Sequence, residues 1–297
     1  MSPEERPVFE VNEKGELEQH YRGRVVKRKI NCNSFKEHVQ KKYGLYVPDR
    51  VIYAVCAHYN AGNNMLFAGD PGTGKTMMIK ALADYIGVLG DEKKGEYNGY
   101  FRVQMYPGIT YVDFIGDWDY PRQLIAIQAI RTDIDVSPRN VDEMLKAVDE
   151  IVKRLHDPER YFRKGPAVRA LEKGITGSIL HIDELNRGSE ESQALLFEIT
   201  GEKQVTHPSG ISFRTTDRYT PDGKEADFIT EFPQFPVIIA TINEGDVATV
   251  ELSSALMRRF ERVVFERPPV PVQLQVLERR ISPDVLKRAD EVVKSVL

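Results

Sequence analysis

The sequence predicts an α/β protein with a doubly wound, mostly parallel sheet of five strands that helices cover on both faces. Short apolar runs alternate along the chain with segments whose apolar residues recur at helical spacing. A glycine-rich stretch joins the first of these runs to a helical segment. The chain has 297 residues, of which 41% are apolar and 29% charged, as is typical of one large or two modest well-packed domains.

Composition excludes several classes of protein. The 41 basic and 45 acidic side chains give a net charge of −4, so no overall basic field indicates nucleic-acid binding. The longest apolar stretches, Val51–Ala57 and Pro236–Ala240, are far shorter than the roughly 18 residues that a membrane span requires. Met1–Pro7 is charged and contains prolines, which argues against a secretory signal. Cys32 and Cys56 are too few for a disulfide framework or a four-ligand zinc site, so we expect a reducing, cytoplasmic location.

Residues 1–34 are rich in charges and include a basic run between Arg22 and Lys29. This pattern predicts a solvated N-terminal arm, and an arm that binds an anion is the alternative. Farther along, bounded apolar runs predict strands at Met65–Ala68, Tyr100–Gln104, Ser178–Ile182, Pro236–Ile242 and Arg262–Phe265. Helical spacing predicts helices at Asp49–Tyr59, Thr76–Ile86, Val141–Leu155, Ser192–Thr200 and Ser253–Met257.

These elements define a core over residues 35–268 that carries two insertions. The insertion near 106–164 contains the helical pattern at Val141–Leu155. The insertion near 205–235 is rich in turn formers, which predicts hairpins or an irregular loop. Residues 269–297 predict two further helices, and Ser282 would be the N-cap of the second.

The glycine-rich stretch carries the clearest chemical signal. It matches the pattern G-x-x-x-x-G-K-[ST] between a predicted strand and a predicted helix, where backbone N–H groups and the start of a helix bind phosphate groups. Lys75 would reach the β- and γ-phosphates, and the Thr76 hydroxyl would bind Mg²⁺. The residues that we expect to bind the nucleotide are Gly69, Asp70, Pro71, Gly72, Thr73, Gly74, Lys75, Thr76 and Met77. The sequence therefore predicts a P-loop NTPase fold.

Two other predicted strands end in polar side chains. Ser178–Ile182 is followed by Asp183 and Glu184, and nucleotide hydrolases use an acid at this place to hold Mg²⁺. We assign that role to Asp183, and we expect Glu184 to accept a proton from the attacking water. We expect His181 to point into the packing of the sheet. The next predicted strand ends at Asn243, whose amide would position the water, with a turn-forming role as the alternative.

Arg258 and Arg259 follow the short predicted helix that ends at Met257. Cationic side chains at this place commonly stabilise the carbonyl end of a helix. The alternative is that one of them reaches a γ-phosphate bound to a neighbouring subunit and neutralises charge in the transition state.

The combination of these motifs resembles the AAA+ ATPases. Within that family the run Asp183-Glu184-Leu185-Asn186-Arg187 and the Gly165-Pro166-Ala167 segment are similar to the MoxR and dynein-related branch. The resemblance covers roughly residues 45–270. It implies that the family motifs fall on the following residues: Walker A on Lys75 and Thr76, Walker B on Asp183 and Glu184, sensor 1 on Asn243, and the arginine finger on Arg259 with Arg258 as second candidate. Arg187 matches a family position near the subunit interface.

The resemblance also implies how the protein works. We expect a homo-oligomer, most often a hexameric ring, that binds ATP and Mg²⁺ between subunits and uses Arg259 in trans. Hydrolysis would remodel or mature a protein partner, as a MoxR-like chaperone does, with a von Willebrand A-domain protein as a candidate adaptor. The two insertions would face that partner, and residues 269–297 would form a short or truncated helical lid.

Two other functions remain open at this stage. The Arg-Arg-Phe ending also resembles the GTP-using subunit of methyl-directed restriction systems, which predicts a nucleic-acid motor driven by GTP or ATP. The net charge of −4 argues against that motor. The third reading is a nucleotide-gated scaffold, although the presence of Lys75, Glu184 and Asn243 argues for hydrolysis.

Aromatic residues cluster in the first insertion. They pack the insertion onto the core in one interpretation, and in the other some of them contact a partner polypeptide. The members of the cluster are Tyr106, Tyr111, Phe114, Trp118 and Tyr120.

Overall fold

A computed structural model describes residues 6–90, 94, 96–133, 141–217, 234–244 and 252–273. The strands are β1 (Val8–Val11), β2 (Leu17–Tyr21), β3 (Arg24–Lys29), β4 (Met65–Gly69), β5 (Tyr100–Gln104), β6 (Gly116–Trp118), β7 (Phe162–Lys164), β8 (Ile179–Asp183), β9 (Gln204–Thr206), β10 (Ser212–Arg214), β11 (Val237–Ile242) and β12 (Glu261–Phe265). The helices are α1 (Cys32–Tyr43), α2 (Asp49–Ala61), α3 (Lys75–Tyr85), α4 (Tyr111–Phe114), α5 (Tyr120–Asp133), α6 (Val141–Leu155), α7 (Pro158–Tyr161), α8 (Pro166–Glu172), α9 (Glu190–Glu202) and α10 (Ser254–Met257).

The central sheet has five strands in the order β12-β4-β11-β8-β5, and every neighbouring pair is parallel. β4 and β8 are buried along their whole length and β11 nearly so, because helices cover both faces. The edge strands β5 and β12 keep exposed positions. The structure confirms the predicted doubly wound α/β sheet, and the ends of each predicted strand agree within one residue.

Side chains along the central strands alternate between two hydrophobic cores. Met65 and Phe67 of β4 pack with α1, α2 and α3 on one face. Leu66 packs with α8, α9 and α10 on the other face. The sheet is therefore held from both sides, and the carboxyl ends of its strands form a well-fixed edge.

The N-terminal residues form an antiparallel sheet, β1-β2-β3, so the prediction of a solvated arm is wrong. Arg28 is fully buried, and its guanidinium donates hydrogen bonds to Asp217 (2.6 Å) and Gln19 (2.7 Å). The buried carboxylate of Glu16 lies 2.9 Å from Lys27 Nζ. The charged residues of this segment predict a solvated arm. Glu16 and Arg28 are instead buried and paired with other residues of the fold.

A disulfide joins Cys32 at the start of α1 to Cys56 in α2, with the Cα atoms 5.6 Å apart. The cysteine count is too low for a framework of several bridges, but it does not exclude this single bridge between adjacent helices, which corrects the expectation. The pair therefore gives no support to the expected reducing location. Within the described residues, no helix has the length and apolar character needed to cross a bilayer.

Two insertions interrupt the succession of strands in the central sheet. Between β5 and β8 the chain forms α4 to α8 and the antiparallel pair β6-β7, and the predicted helix at Val141–Leu155 is α6. Between α9 and β11 it forms the hairpin β9-β10 at the start of the predicted turn-rich segment, and residues 218–233 of that segment lie outside the described residues. Residues 270–273 are helical, and the rest of the predicted lid lies outside the described residues.

The charge of Glu16 should stabilise the contact between the N-terminal sheet and α3. Burial opposes ionisation of Glu16, but hydrogen bonds from Tyr85, Asn12, Lys27 and the backbone of Asn31 outweigh it and lower the pKa from 4.5 to about 2. Because the pKa is lower in the folded state, this stabilisation is present above pH 4.5 and is lost as the pH falls toward about 2. Glu16→Gln should therefore lower the free energy of unfolding at neutral pH by on the order of 2 kcal/mol.

Denaturant unfolding of the wild type and the variant, from neutral pH to about pH 3, measures this contribution. The difference between the two proteins should shrink below pH 4.5. Glu13→Gln, which alters an exposed acid in the same sheet region, is the matched control. A difference that stays constant over the whole pH range would contradict the role of the ionised carboxylate.

Candidate functional site

The glycine-rich loop connects the end of β4 to the start of α3. Gly72 and Gly74 have φ angles of +80° and +96°, which other residues rarely adopt. A Cβ atom on Gly69 would lie 2.1 Å from the carbonyl oxygen of Phe265, so glycine also allows β12 to pack against the loop. Because α3 begins at Lys75, the unpaired N–H groups of its first turn point toward the loop and favour an anion there.

Lys75 is only 7% exposed and is held against the loop. Its ammonium group donates hydrogen bonds to the carbonyl oxygens of Gly69 (2.6 Å) and Asp70 (2.8 Å). Burial lowers the pKa of Lys75, and nearby carboxylates, foremost that of Asp183, oppose the shift. Phosphate oxygens are stronger acceptors than carbonyls, so a bound phosphate would attract this ammonium group.

A cavity of about 580 Å³ opens beside the loop, within the range of small-molecule sites. Gly69, Asp70 and Thr73 do not line it; they form the back of the loop, where the Thr73 hydroxyl donates to the Asp70 carbonyl (2.9 Å). The cavity thus brings the glycine-rich loop to the ends of β8 and β11, which are distant in sequence. The predicted site residues that line it are Pro71, Gly72, Gly74, Lys75, Thr76, Met77, Asp183, Glu184 and Asn243.

Asp183 ends β8 and is ionised in the folded protein. Its Oδ1 accepts a hydrogen bond from the Thr241 hydroxyl (2.5 Å), and its Oδ2 accepts one from Arg102 Nε (2.9 Å). Burial opposes ionisation, but contacts with His181, Thr241 and Arg102 outweigh it and hold the pKa of Asp183 well below its usual range. His181 is fully buried, as expected, but it also contacts the Tyr100 hydroxyl (2.6 Å) and lies 3.5 Å from Asp183.

Glu184 is held by contacts from three directions. Asn243 Nδ2 donates to its Oε1 (3.1 Å), Gln104 Nε2 donates to its Oε2 (2.6 Å), and Arg187 Nη1 lies 3.3 Å from Oε2. Its backbone N–H donates to the Thr241 hydroxyl (3.0 Å). The residue has a φ of +54°, which is uncommon for any residue except glycine and is found at functional sites.

Arg258 and Arg259 lie outside this cavity. Both are exposed at the end of α10. Arg259 Nη1 donates to the carbonyl oxygen of Ala255 (3.0 Å), and the guanidinium lies 4.9 Å from the centre of the Phe197 ring. Within one chain Arg259 therefore stabilises the end of a helix, and a role at a phosphate would require a second subunit.

Arg102, Gln104 and Thr241 complete the site and are not among the residues that the sequence predicts for it. Arg102 and Gln104 are two residues apart on β5, so they lie on the same face, and Gln104 is directly opposite Asp183 in the sheet. Thr241 is two residues before Asn243, near the end of β11. Polar residues that alternate along a strand beside the acidic one are the signal that would have indicated them.

The residues of the cavity fit a hydrated magnesium ion. Asp183 supplies an ionised carboxylate and Thr76 a hydroxyl, and Mg²⁺ prefers oxygen ligands. Magnesium usually takes only one or two ligands from the protein and completes its shell with phosphates and water. Within the described ranges, no group of three or more His, Cys, Asp or Glu side chains is arranged to hold a metal alone. This arrangement is consistent with an ion that binds together with a nucleotide.

Two comparisons with known proteins give matches, one to a family model over part of the chain and one to a solved structure. Residues 141–260 match the sequence model of the AAA domain, dynein-related subfamily, which supports an AAA+ ATPase. A search of curated proteins finds no match. The chain is similar to the crystal structure of a candidate ATPase from Cytophaga hutchinsonii, with 19% identity and a TM-score of 0.48. The similarity covers 85% of this chain and 56% of the other, so this chain spans about half the length of that protein.

Arg102 donates a hydrogen bond to Oδ2 of Asp183, the carboxylate that we expect to bind the metal. Replacing Arg102 with alanine removes a competing cation, and an ion pair of this exposure is worth up to about 1 kcal/mol. We therefore expect Arg102→Ala to lower the Mg²⁺ concentration needed for half-maximal nucleotide binding by about two- to five-fold.

A fluorescent nucleotide analogue titrated at increasing Mg²⁺ measures this effect without turnover. Arg154→Ala, which removes an exposed arginine of α6, is the control. An unchanged or higher Mg²⁺ requirement in Arg102→Ala would contradict competition between the guanidinium and the metal.

Proposed function

We propose that the protein hydrolyses ATP in the cavity between the glycine-rich loop and the ends of β8 and β11. The observation that supports hydrolysis most strongly is the Glu184 carboxylate, which Asn243 and Gln104 hold at the cavity that Lys75 also lines. Binding alone does not require such a carboxylate, whereas the activation of water does. The family match over residues 141–260 supports the same assignment.

The loop and α3 would bind the phosphates of the nucleotide. Lys75 would exchange its two carbonyl contacts for oxygens of the β- and γ-phosphates, and backbone N–H groups would bind the remaining oxygens. Thr76 and Asp183 would hold Mg²⁺, which neutralises phosphate charge when it is bound. Because its pKa is lowered, Asp183 stays ionised throughout.

Glu184 would act as the general base. The oxygen of a water molecule attacks the γ-phosphorus, the bond to the bridging oxygen of ADP breaks, and Glu184 accepts the proton of the water. Asn243 and Gln104 would hold the carboxylate in place, since each donates a hydrogen bond to one of its oxygens.

We further propose a homo-oligomeric ring, most simply a hexamer, with ATP between subunits. Arg258 and Arg259 are exposed and lie outside the cavity of their own chain, which suits a role at the phosphate of a neighbour. In the ring, hydrolysis would remodel or mature a protein partner in the manner of a MoxR-like chaperone. A von Willebrand A-domain protein is a candidate adaptor on the basis of family resemblance alone.

Glu184→Gln tests the proposed base. The variant should bind ATP as the wild type does but release phosphate at least about a hundred-fold more slowly, because the amide cannot accept the proton of the water. Phosphate release and nucleotide binding are measured separately, with Glu202→Gln as a control for loss of an exposed glutamate. Wild-type turnover in Glu184→Gln would contradict the assignment.

The wild-type assay with ATP and GTP at several protein concentrations separates the competing functions. A specific activity that rises with concentration and prefers ATP supports the ring ATPase. A preference for GTP together with stimulation by DNA or RNA would favour a nucleic-acid motor instead. Absence of turnover with both nucleotides, despite binding, would favour a nucleotide-gated scaffold.

A mixing experiment tests the arginine in trans. Lys75→Ala lacks a functional phosphate site and keeps Arg259, whereas Arg259→Ala keeps the site and lacks the arginine. Each variant alone should be inactive. In an equal mixture, about a quarter of the interfaces should combine an intact site from Arg259→Ala with an arginine from Lys75→Ala, so about a quarter of the wild-type activity should return.

The mixture of Lys75→Ala and Glu184→Gln is the control, because no interface in it contains a complete site. An inactive mixture of Lys75→Ala with Arg259→Ala would contradict action in trans. Full activity of Arg259→Ala alone would move the role to Arg258.

A further inference from the structure

A second cavity of about 580 Å³ lies between the two insertions. Residues of the 111–123 segment, His156 and the turn of the β9-β10 hairpin line it, and it shares no residue with the nucleotide cavity. Asp117 is its acidic side chain, and among the described residues no lysine or arginine lines it. Its volume is within the range of ligand sites, and its charge favours a cation.

The carboxylate of Asp117 is incompletely paired. Its Oδ1 accepts a hydrogen bond from the Trp118 backbone N–H (2.8 Å) and lies 3.5 Å from His207 Nε2, which is too far for a strong hydrogen bond. Its Oδ2 has no hydrogen bond or ion pair with any residue that the structure describes. The Asp117 side chain is only 32% exposed, so the fold has already removed part of the water around its charge. A cationic partner would therefore compensate a carboxylate that is poorly solvated.

A short hydrogen-bond network fixes the wall around Asp117. The Ser209 backbone N–H donates to His207 Nδ1 (3.1 Å), so Nδ1 is an acceptor and Nε2, which faces Asp117, is the nitrogen with the ring proton. The Trp118 indole N–H donates to the Ser209 hydroxyl (3.3 Å). The network joins β6 to the hairpin. Arg163 is opposite Asp117 in the β6-β7 pair, but among the described residues no lysine or arginine forms an ion pair with this carboxylate.

Aromatic rings form much of the rest of the cavity. Trp118 and Tyr111 line it, and Tyr120 lies at its mouth with 59% of its surface exposed. Leu124 is four residues after Tyr120 and therefore on the same face of α5, and it is 61% exposed. Aromatic faces beside an under-paired carboxylate attract ammonium and guanidinium groups.

We propose that this cavity binds a basic side chain, lysine or arginine, of a partner polypeptide. The cation pairs with Asp117 and lies against the aromatic wall, and a neighbouring apolar residue of the partner covers Leu124. The exposed side chain of Leu124 favours a polypeptide over a free amine, because a small amine would leave it in water. The inference rests on the proposed function, in which the insertions contact the protein that hydrolysis remodels.

Trp118 is the only tryptophan of the chain, so its fluorescence reports directly on the cavity. The full-length protein, without nucleotide, is titrated with a short capped peptide that has one arginine between leucines, and with the same peptide carrying citrulline. We expect a saturable change with the arginine peptide and about ten-fold weaker binding of the neutral peptide. A lysine and norleucine pair repeats the comparison for an ammonium group.

Asp117→Asn should weaken the arginine peptide about ten-fold and leave the citrulline peptide unchanged. Asp119→Asn, which alters the neighbouring acid outside the cavity, should bind as the wild type does. Equal responses to the charged and neutral peptides in the wild type would overturn the proposal without reference to any variant. Binding of free arginine amide as tightly as the peptide would overturn the polypeptide as the occupant.

The same titration in Lys75→Ala separates this inference from the proposed function. Peptide binding in the variant, together with phosphate release by the wild type, supports both. Peptide binding without phosphate release by the wild type would leave the cation site standing and remove the ATPase. Phosphate release without peptide binding in either protein would remove the cation site alone.

Discussion

The parallel register of β5, β8 and β11 is the constraint on which the nucleotide site depends. Gln104 lies opposite Asp183, and Ala240 lies opposite Ile182, so Thr241 reaches Asp183 from the other side. A slip of one residue would turn every side chain of a strand to the opposite face. Because the central strands are buried on both faces, two hydrophobic cores oppose such a slip. The site is therefore fixed by packing far from it as well as by its own hydrogen bonds.

The part of this arrangement that depends on local sequence could be predicted. Apolar runs indicate the five strands, and the glycine pattern indicates the phosphate-binding loop. The acidic or amide residue at the end of a strand indicates a side chain of the site. The contact of Arg102 with Asp183 depends on which strand is next to which, and neighbouring strands here are not consecutive in sequence. Charge counts also cannot distinguish a solvated arginine from Arg28, whose partner Asp217 follows far along the chain. Sequence patterns thus predict helices, strands and loops better than they predict which side chains contact each other.

One helix connects the two cavities of the molecule. The 3₁₀ turn Leu185–Arg187 follows the acidic residues of β8, α9 begins at Glu190, and the hairpin β9-β10 follows its end. With 13 residues, α9 is about 20 Å long. The hairpin is in turn tied to β6 through the contacts of Ser209 with Trp118 and of His207 with Asp117. The two insertions are therefore physically continuous with the end of the strand that carries Asp183.

The buried pair of Arg28 and Asp217 has a consequence for how the chain can be divided. A fragment that starts at the first residue of the predicted core, near residue 35, would lack the arginine and keep a carboxylate enclosed by protein. An enclosed charge without its partner costs about 3–5 kcal/mol, which is a large share of the stability of an ordinary domain. The smallest autonomous unit therefore includes Arg28 and the strands β2 and β3, which carry Gln19 and Arg28.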